Sequence, residues 1–197
     1  HLFEELDESL GQNLTRMMFE GPEDELVKTE NTQPALMAFS LAVLRVLEEE
    51  GGVELSAAAT FVAGHSLGEY SALTAAGALE FAQTARLLKA RGRAMQDAVP
   101  VGEGAMAALL GLEVDQVAEI AEQAADGEVC AAANDNAPGQ VVVSGDLAAV
   151  ERAIALAKEA GARRGVMLPV SAPFHCALMA PAADVMADLL GEADIRP

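Results

Sequence analysis

The fold is decided by the stretch Ala63-Gly64-His65-Ser66-Leu67-Gly68-Glu69-Tyr70. The segment 58–63 is short, apolar and partly β-branched, which predicts a buried strand that leads into it. The segment 71–76 is rich in small residues and helix formers, and Gly77 follows it at a typical helix end. A strand, Gly-x-Ser-x-Gly and a helix in this order predict a nucleophile elbow, the tight turn that presents a reactive serine hydroxyl.

The residue types of this stretch fit that chemistry. Gly64 and Gly68 stand two residues before and after Ser66, where strand and helix nearly touch and only small residues fit. The first free N–H groups of the helix would point to the place where negative charge develops. The alternative is a glycine-rich turn from strand to helix that carries an idle serine.

Composition sets the class of protein. The chain has 197 residues, of which 52% are hydrophobic and only 4% aromatic, so we expect one large domain, or one domain with a smaller one inserted. No apolar run is long enough to span a bilayer, and no signal peptide opens the chain. The net charge of -19 argues against a nucleic-acid surface. Because the sequence begins with His1, we expect a processed product or a fragment.

The two cysteines, Cys130 and Cys176, have neither a metal-ligand spacing nor the spacing of a redox motif. Each lies among apolar residues, which favours small core residues over nucleophiles. This cysteine usage is typical of a reducing cytoplasm, and we expect a cytoplasmic protein that binds no metal.

Helical patterns fill the first hundred residues. Short helices broken at Gly11 and at Gly21-Pro22 precede a long helix predicted to open at Pro34. Another helix is predicted over 81–98. One face of the long helix consists of apolar residues at helical spacing, which are Leu36, Phe39, Val43, Val46 and Leu47.

The pattern changes after residue 102. A βαββαβ order is predicted there, which indicates a ferredoxin-like small subdomain over 102–169, inserted in a catalytic domain formed by 1–101 and 170–197. A helix over 177–190, interrupted early by Pro181, closes the chain. The predicted elements of the subdomain are strands over 105–110, 129–133, 140–144 and 164–168 and helices over 115–125 and 147–160.

A serine nucleophile needs a base, and the chain has three histidines. His1 is terminal, and His65 would point to the other side of the turn from Ser66. His175 lies in the loop 171–175, and the need for a base favours it over the structural role that a lone loop histidine more often has. We therefore predict His175 as the base.

Arg91 lies in the apolar stripe of the helix over 81–98, near Leu87, Leu88 and Met95. A guanidinium in such a place is costly unless it is paired. The carboxylate of a substrate would complete a bidentate pair. An intramolecular partner is the alternative, with Asp97 and Glu80 as the candidates.

Five segments of the chain carry a resemblance to a known family, namely 32–36, 64–70, 89–96, 136–142 and 170–179. Over nearly the whole chain, in the family's order and spacing, they resemble the malonyl-CoA:acyl carrier protein transacylase family. The resemblance implies an α/β fold with an α/β-hydrolase-like acyltransferase core and the ferredoxin-like insert. It implies transfer of a malonyl group from malonyl-CoA to the phosphopantetheine thiol of acyl carrier protein in fatty acid biosynthesis.

The resemblance also implies roles for individual residues. Ser66 would take the malonyl group as an ester, His175 would act as the base in both half-reactions, and Arg91 would pair with the free malonyl carboxylate. Three further positions would contact substrate: Leu67 through its backbone N–H in the oxyanion hole, Phe174 as the bulky residue that disfavours branched acyl groups, and His65.

Two departures from the family matter. The family begins with a strand that ends in Gly-x-Gly-Ser-Gln, whose glutamine completes the oxyanion hole, and this segment is absent here. The family also continues well beyond Pro197. We interpret the sequence as a fragment that lacks both ends of the family's chain.

Other functions stay open beside this one. The nearest is an acyltransferase unit of a polyketide synthase or a malonate decarboxylase. A serine hydrolase and a non-catalytic module that binds carrier protein are the others. For the favoured function the expected partners are malonyl-CoA and acyl carrier protein, with no nucleic acid, no membrane and no bound cofactor, because the coenzyme A thioester is a substrate.

Carrier proteins of this family's pathway are acidic, as is this chain, so docking needs a local basic surface. Arg86, Lys89 and Arg93 share one face of the predicted helix and could form it. Arg163 and Arg164 form a competing patch, and an ordinary solvated face is the third interpretation.

Overall fold

A computed structural model describes residues 1–170 and 172–196. The chain divides into two compact units, one of His1–Arg93 with the residues from Val185 onward, the other of Ala94–Asp184. The predicted subdomain over 102–169 lies inside the second unit, and its limits stay a prediction. No helix of the described part is both long and apolar enough to cross a membrane.

Helices build the first unit. The predicted breaks at Gly11 and Gly21-Pro22 are confirmed, because each separates two helices. The first segment of this unit ends at Arg93, and helix α7 continues four residues beyond it into the second unit. The helices are α1 (Leu2–Leu10), α2 (Leu14–Glu20), α3 (Glu23–Leu26), α4 (Thr29–Glu49), α5 (Leu55–Ala58), α6 (Leu67–Ala75) and α7 (Phe81–Asp97).

Helix α4 begins at Thr29 and not at Pro34, so the predicted start is wrong by five residues. The extra turn forms before the proline because the carbonyl of Lys28 accepts hydrogen bonds from the backbone N–H groups of Asn31 and Thr32, at 2.8 and 2.9 Å. The hydroxyl of Thr32 also donates to the carbonyl of Leu26 at 2.6 Å. These bonds hold the first turn of α4 against α3, and Pro34 lies inside the helix.

The predicted strand over 58–63 is wrong. Residue 58 ends α5, and the backbone from 59 to 64 has no regular structure. A strand needs hydrogen bonds to a neighbouring strand, and every strand of the described residues lies in the second unit. The side chains are exposed and not buried, with Phe61 88% and Val62 40% accessible.

The predicted apolar face of α4 forms, but it is not part of the described core. The exposed fraction of each of its side chains lies between 46% and 57%, for Leu36, Phe39, Val43, Val46 and Leu47. The side chains that α4 buries lie on another side of the helix, among them Met37 and Ala38. They pack with Leu6, Leu14 and Leu88 of α1, α2 and α7 in the main core of the first unit.

The second unit contains an antiparallel sheet of four strands in the order β2-β3-β1-β4. All four strands and both helices of the predicted βαββαβ order are confirmed, with ends that differ by up to four residues. The elements are β1 (Gly104–Leu110), α8 (Val114–Ala125), β2 (Cys130–Ala137), β3 (Gln140–Asp146), α9 (Leu147–Glu159) and β4 (Arg164–Met167).

Strand β2 runs four residues past its predicted end at 133 because the hairpin is tighter than the sequence indicated. Ala137 pairs with Gln140, so only Pro138 and Gly139 form the turn. Gly139 has φ 72°, a conformation that glycine adopts without strain. The register of β2 on β3 shifts at two places, between Ala132 and Asn134 and between Asp135 and Ala137, which is typical of β-bulges.

One face of the sheet carries the core of the second unit. Leu109, Val143 and Val150 are fully buried there, in a cluster to which β1, β3, α8 and α9 contribute. After β4, a short 3₁₀ helix (Ala177–Met179) precedes helix α10 (Ala180–Gly191). The predicted helix over 177–190 forms as these two elements, but the interruption lies between Met179 and Ala180, and Pro181 lies in the first turn of α10.

Candidate active site

Ser66 occupies the N-cap of helix α6 in a strained backbone conformation. Its φ is 53° and its ψ is -115°, a positive φ that a residue other than glycine rarely adopts. The N–H of Gly68 donates to the carbonyl of His65 at 2.8 Å, and the N–H of Glu69 donates to the carbonyl of Ser66 at 3.1 Å. The predicted elbow turn therefore forms, although the predicted strand before it does not.

The two glycines of the motif are not equivalent. A Cβ added at Gly64 would overlap the backbone carbonyl of Gly68 and lie 2.5 Å from the nitrogen of Glu69. A Cβ added at Gly68 would meet no atom within 4 Å. The close approach that the motif requires is thus made by Gly64 against the first turn of the helix.

Arg91 reaches the serine from helix α7. Its Nη2 donates to Ser66 Oγ at 3.1 Å, and its Nη1 donates to Gln33 Oε1 at 2.6 Å. The guanidinium carbon lies 5.8 Å from the ring centre of Tyr70, within range of a cation–π contact. Side chains of α4, α6 and α7 thus meet beside the nucleophile.

The electrostatics of this site are those of a half-buried cation. Burial lowers the pKa of Arg91, and the neighbouring Tyr70 and Glu69 raise it; a guanidinium stays charged in any case. Within residues 1–170 and 172–196, Arg91 has no ion pair with a carboxylate. Neither proposed intramolecular partner contacts it. No described bond joins Arg91 to Asp97, and Glu80 pairs with Arg196 instead. The guanidinium keeps donors for a carboxylate from outside.

Gln33 is a site residue that the sequence reasoning missed. The resemblance includes it in the segment 32–36 but gives it no role. The side chain is 3% exposed, and its Nε2 donates to Thr29 Oγ1 at 2.9 Å. This bond fixes the amide orientation that offers Oε1 to Arg91. The only signal was the place of Gln33 at the end of the polar first turns of α4, next to the mostly apolar stretch that begins at Pro34.

The expected basic surface on helix α7 is wrong for Lys89, while Arg93 is 64% exposed and its docking role stays a prediction. Lys89 is only 12% exposed, and both Lys89 and Arg93 contact the carboxylate of Glu30, at 3.0 and 2.7 Å. Arg86 is exposed, as are Arg163 and Arg164. A docking role for any of these three stays a prediction.

His175 and Phe174 belong to the second unit. His175 is exposed and has φ 60°, another positive φ outside glycine. Phe174 packs against a buried cluster that includes Val99 and Met179. Residue 171 of the predicted loop lies outside the described residues. The structure brings Ser66, Leu67 and Arg91 together, His65 beside them is exposed, and the roles of His175 and Phe174 stay predictions.

The cysteines behave as half-buried side chains. Burial raises the pKa of the Cys130 thiol to about 11, which keeps it protonated and unreactive near neutral pH. The Sγ of Cys176 donates to the carbonyl of Pro173 at 3.2 Å. The described residues contain no group of three or more His, Cys, Asp or Glu side chains that could hold a metal ion.

Comparison with known proteins settles the family. A family model described as the acyl transferase domain matches residues 2–197. The chain belongs to the acyl transferase domain family. Among its curated relatives is a malonyl CoA-acyl carrier protein transacylase of Escherichia coli (strain K12), 51% identical over 94% of this chain and 59% of the relative.

Two solved structures show the same likeness. The acyl-carrier-protein-S-malonyltransferase of Bartonella henselae matches with a TM-score of 0.94 and 54% identity, over 98% of this chain and 62% of that one. A malonyl-transacylase in complex with its type II PKS acyl carrier protein matches with a TM-score of 0.94 and 46% identity, over 99% and 62%. The chain thus spans about three fifths of the length of these relatives.

Proposed function

We propose that the protein transfers a malonyl group from malonyl-CoA to the phosphopantetheine thiol of acyl carrier protein, as a malonyltransferase of fatty acid biosynthesis. The observation that carries the proposal is the bond from Arg91 to Ser66 Oγ at 3.1 Å. A nucleophile and a carboxylate-binding cation side by side suit an acyl group that ends in a carboxylate. The names of the relatives point to the same substrate.

In the first half-reaction Ser66 Oγ attacks the thioester carbonyl of malonyl-CoA while His175 takes the hydroxyl proton. The N–H of Leu67, the first residue of helix α6, donates to the oxyanion, because N–H groups of a first helical turn lack intrahelical partners. The carbon–sulfur bond then breaks, and coenzyme A leaves as the thiol with the proton from His175. The product is a malonyl ester of Ser66.

In the second half-reaction the thiol of the carrier protein gives its proton to His175, and its sulfur attacks the ester carbonyl. A carbon–sulfur bond forms and the carbon–oxygen bond to Ser66 breaks. Ser66 recovers its proton from the histidine. Both steps balance in atoms and electrons without a bound cofactor, and the same base serves twice.

Arg91 supplies selectivity in this scheme. The ester on Ser66 carries its free carboxylate two carbons from the carbonyl, within reach of a guanidinium already hydrogen-bonded to the same oxygen. Two parallel N–H donors can bind the two carboxylate oxygens. Acetyl has no carboxylate and gains nothing from Arg91. Phe174 is proposed to disfavour branched acyl groups, and His65 to line the substrate site.

The finer architecture is part of the proposal. We assign residues 1–101 and 170–197 to an α/β-hydrolase-like catalytic domain and 102–169 to a ferredoxin-like subdomain. The antiparallel order β2-β3-β1-β4 with two helices supports the second assignment. We also propose a cytoplasmic location.

A second candidate is a malonyltransferase that serves polyketide synthesis. It is favoured by the likeness to the malonyl-transacylase seen with its type II PKS acyl carrier protein. The chemistry at Ser66 is the same, so only the carrier protein differs. A transfer assay with purified carrier proteins of both kinds separates the two candidates.

The test is intact-protein mass spectrometry of the full-length protein mixed with malonyl-CoA. Wild type should gain one malonyl group and lose it when carrier protein is added, whereas Ser66→Ala should gain none. His175→Ala should slow both steps. An adduct that is lost as fast to water as to the carrier thiol would show a serine hydrolase and contradict the proposal.

A further inference from the structure

Helix α7 touches the first turn of α4 on both sides of Arg91. Lys89 and Arg93 stand two residues before and after Arg91, and Gly92 is next to it. The contacts of all three residues include residues 29–31 at the start of α4. The position of the site arginine therefore depends on how these two helices meet.

Lys89 is bound by three acceptors. Its Nζ lies 2.8 Å from Gln12 Oε1, 2.7 Å from Asn31 Oδ1 and 3.0 Å from Glu30 Oε2. An ammonium group has three donors, so each donor has one partner. With a side chain only 12% exposed, Lys89 links α7 to the start of α4 and to the connection between α1 and α2.

Glu30 joins both cations through one oxygen. Its Oε2 accepts from Arg93 Nε at 2.7 Å and lies 3.0 Å from Lys89 Nζ. The Arg93 hydrogen bond, together with that of Lys89, lowers the pKa of the Glu30 carboxyl despite its partial burial. The carboxylate therefore stays ionised at neutral pH and holds two points of α7, one turn apart.

Gly92 brings the two backbones into contact at the same place. A Cβ there would overlap the Cα of Glu30 and lie 2.6 Å from its nitrogen and 2.7 Å from the carbonyl oxygen of Thr29. Helices packed this closely cannot slide without a clash. Gly92 permits the close approach of the two helices, and the ion pairs of Glu30 select the register of α7 on α4.

We propose that Glu30 is a positioning residue for Arg91: by binding Lys89 and Arg93 it holds α7 in the register on α4 that places Arg91 between Gln33 and Ser66. This inference rests on the proposed function, in which Arg91 binds the malonyl carboxylate. Glu30 touches no reacting atom. It acts on selectivity, because a small shift of α7 moves Arg91 away from Gln33 Oε1, now 2.6 Å from its Nη1.

The experiment compares malonyl-CoA and acetyl-CoA in the loading step of the full-length protein. Glu30→Gln removes the charge and keeps the size. Glu25→Gln is the matched control, since Glu25 pairs with Lys28 at 2.6 Å within α3 and its flank and does not join α4 to α7. Arg93→Gln is a second test variant that should fold normally, because Arg93 is 64% exposed.

Glu30→Gln should reduce the ratio of kcat/KM for malonyl over acetyl by at least about twofold, the smaller end of couplings between contacting residues. The loss should appear mainly as a higher KM for malonyl-CoA. Glu30→Asp should recover part of the ratio. Glu25→Gln should leave it unchanged, and Arg93→Gln should lower it in the same direction.

The Arg91→Ala background separates positioning from stability. If Glu30 acts through Arg91, adding Glu30→Gln to the Arg91→Ala protein should not change the ratio of kcat/KM for malonyl over acetyl further. A loss of general stability would still lower both the malonyl and the acetyl activity. A ratio unchanged by both Glu30→Gln and Arg93→Gln, in a wild type that prefers malonyl, overturns the role of Glu30 alone. A wild type that takes no malonyl group overturns the proposed function, and this inference with it.

Discussion

Arg91 donates from Nη2 to the Oγ of Ser66 at 3.1 Å, and this bond uses an acceptor lone pair of the hydroxyl. The hydroxyl proton stays available to a base. The bond also places the guanidinium before any substrate arrives, so that less ordering is needed when a carboxylate binds. In the proposed function, Ser66 and Arg91 are thus already positioned before the substrate binds.

Removal of the Arg91 guanidinium should therefore affect malonyl far more than acetyl. We expect Arg91→Ala to weaken malonyl loading by roughly 2–5 kcal/mol, the usual cost of truncating one partner of a buried charge pair. Arg91→Lys keeps the charge but not the planar fork, so its malonyl loading should fall between that of wild type and that of Arg91→Ala. The measurement is kcat/KM for both thioesters, and equal losses would show that Arg91 is structural.

A carboxylate placed beside Arg91 should compete with the substrate. Gln33→Glu puts a negative charge at the position of Oε1, 2.6 Å from Nη1. We expect a KM for malonyl-CoA at least about tenfold higher, because like charges placed together cost several kcal/mol. Acetyl loading should change little.

The matched control is Gln123→Glu, the same change at an exposed position on helix α8. Steady-state loading with both thioesters measures the effect. If Gln33→Glu and Gln123→Glu gave the same KM, the amide of Gln33 would have no part in placing Arg91.

The elements that the sequence predicted well are those whose residues find partners nearby. Helix α9 and the hairpin of β2 and β3 are stabilised by local contacts and short turns. Ser66 and Arg91 lie together in the structure, and their roles stay predictions. The segment 58–63 failed because a strand depends on a neighbour that periodicity cannot supply. The prediction for Lys89 is wrong because the spacing of residues along α7 does not show which side chains of α4 contact it. In the structure Lys89 pairs with Glu30 and is only 12% exposed.

The unequal glycines of the elbow give a prediction on stability. Gly64→Ala should strongly destabilise the turn, because its Cβ would overlap the carbonyl of Gly68. Gly68→Ala should be neutral or stabilising by up to about 1 kcal/mol, since alanine favours a helix over glycine. Thermal unfolding of both variants checks this, and a Gly64→Ala protein as stable as wild type would mean that the turn can open.

The ion pairs of Glu30 should give stability that depends on pH. Its folded pKa lies below the ordinary value of 4.5, so the contribution is present above that pH and is lost as the pH falls through the folded pKa. The free energy of unfolding of wild type minus that of Glu30→Gln should be constant near neutral pH and shrink in acid.

Urea unfolding of both proteins at several pH values between about 3 and 7 measures this difference, which cancels the other carboxylates they share. Glu25→Gln, whose carboxylate is more exposed, provides the comparison. A Glu30 difference that does not change across this range would show that the carboxylate adds nothing to folding.

The outward apolar side chains of α4 have a practical consequence at the bench. A groove of about 460 Å³ lined by Phe39, Val43, Val46 and Leu47 of α4 with Phe3, Met18 and Phe19 is open to water, and such surfaces attract one another. Purified alone, these 197 residues should bind a hydrophobic dye and scatter light at rising concentration. Mild detergent should reverse the light scattering, because it covers the apolar groove.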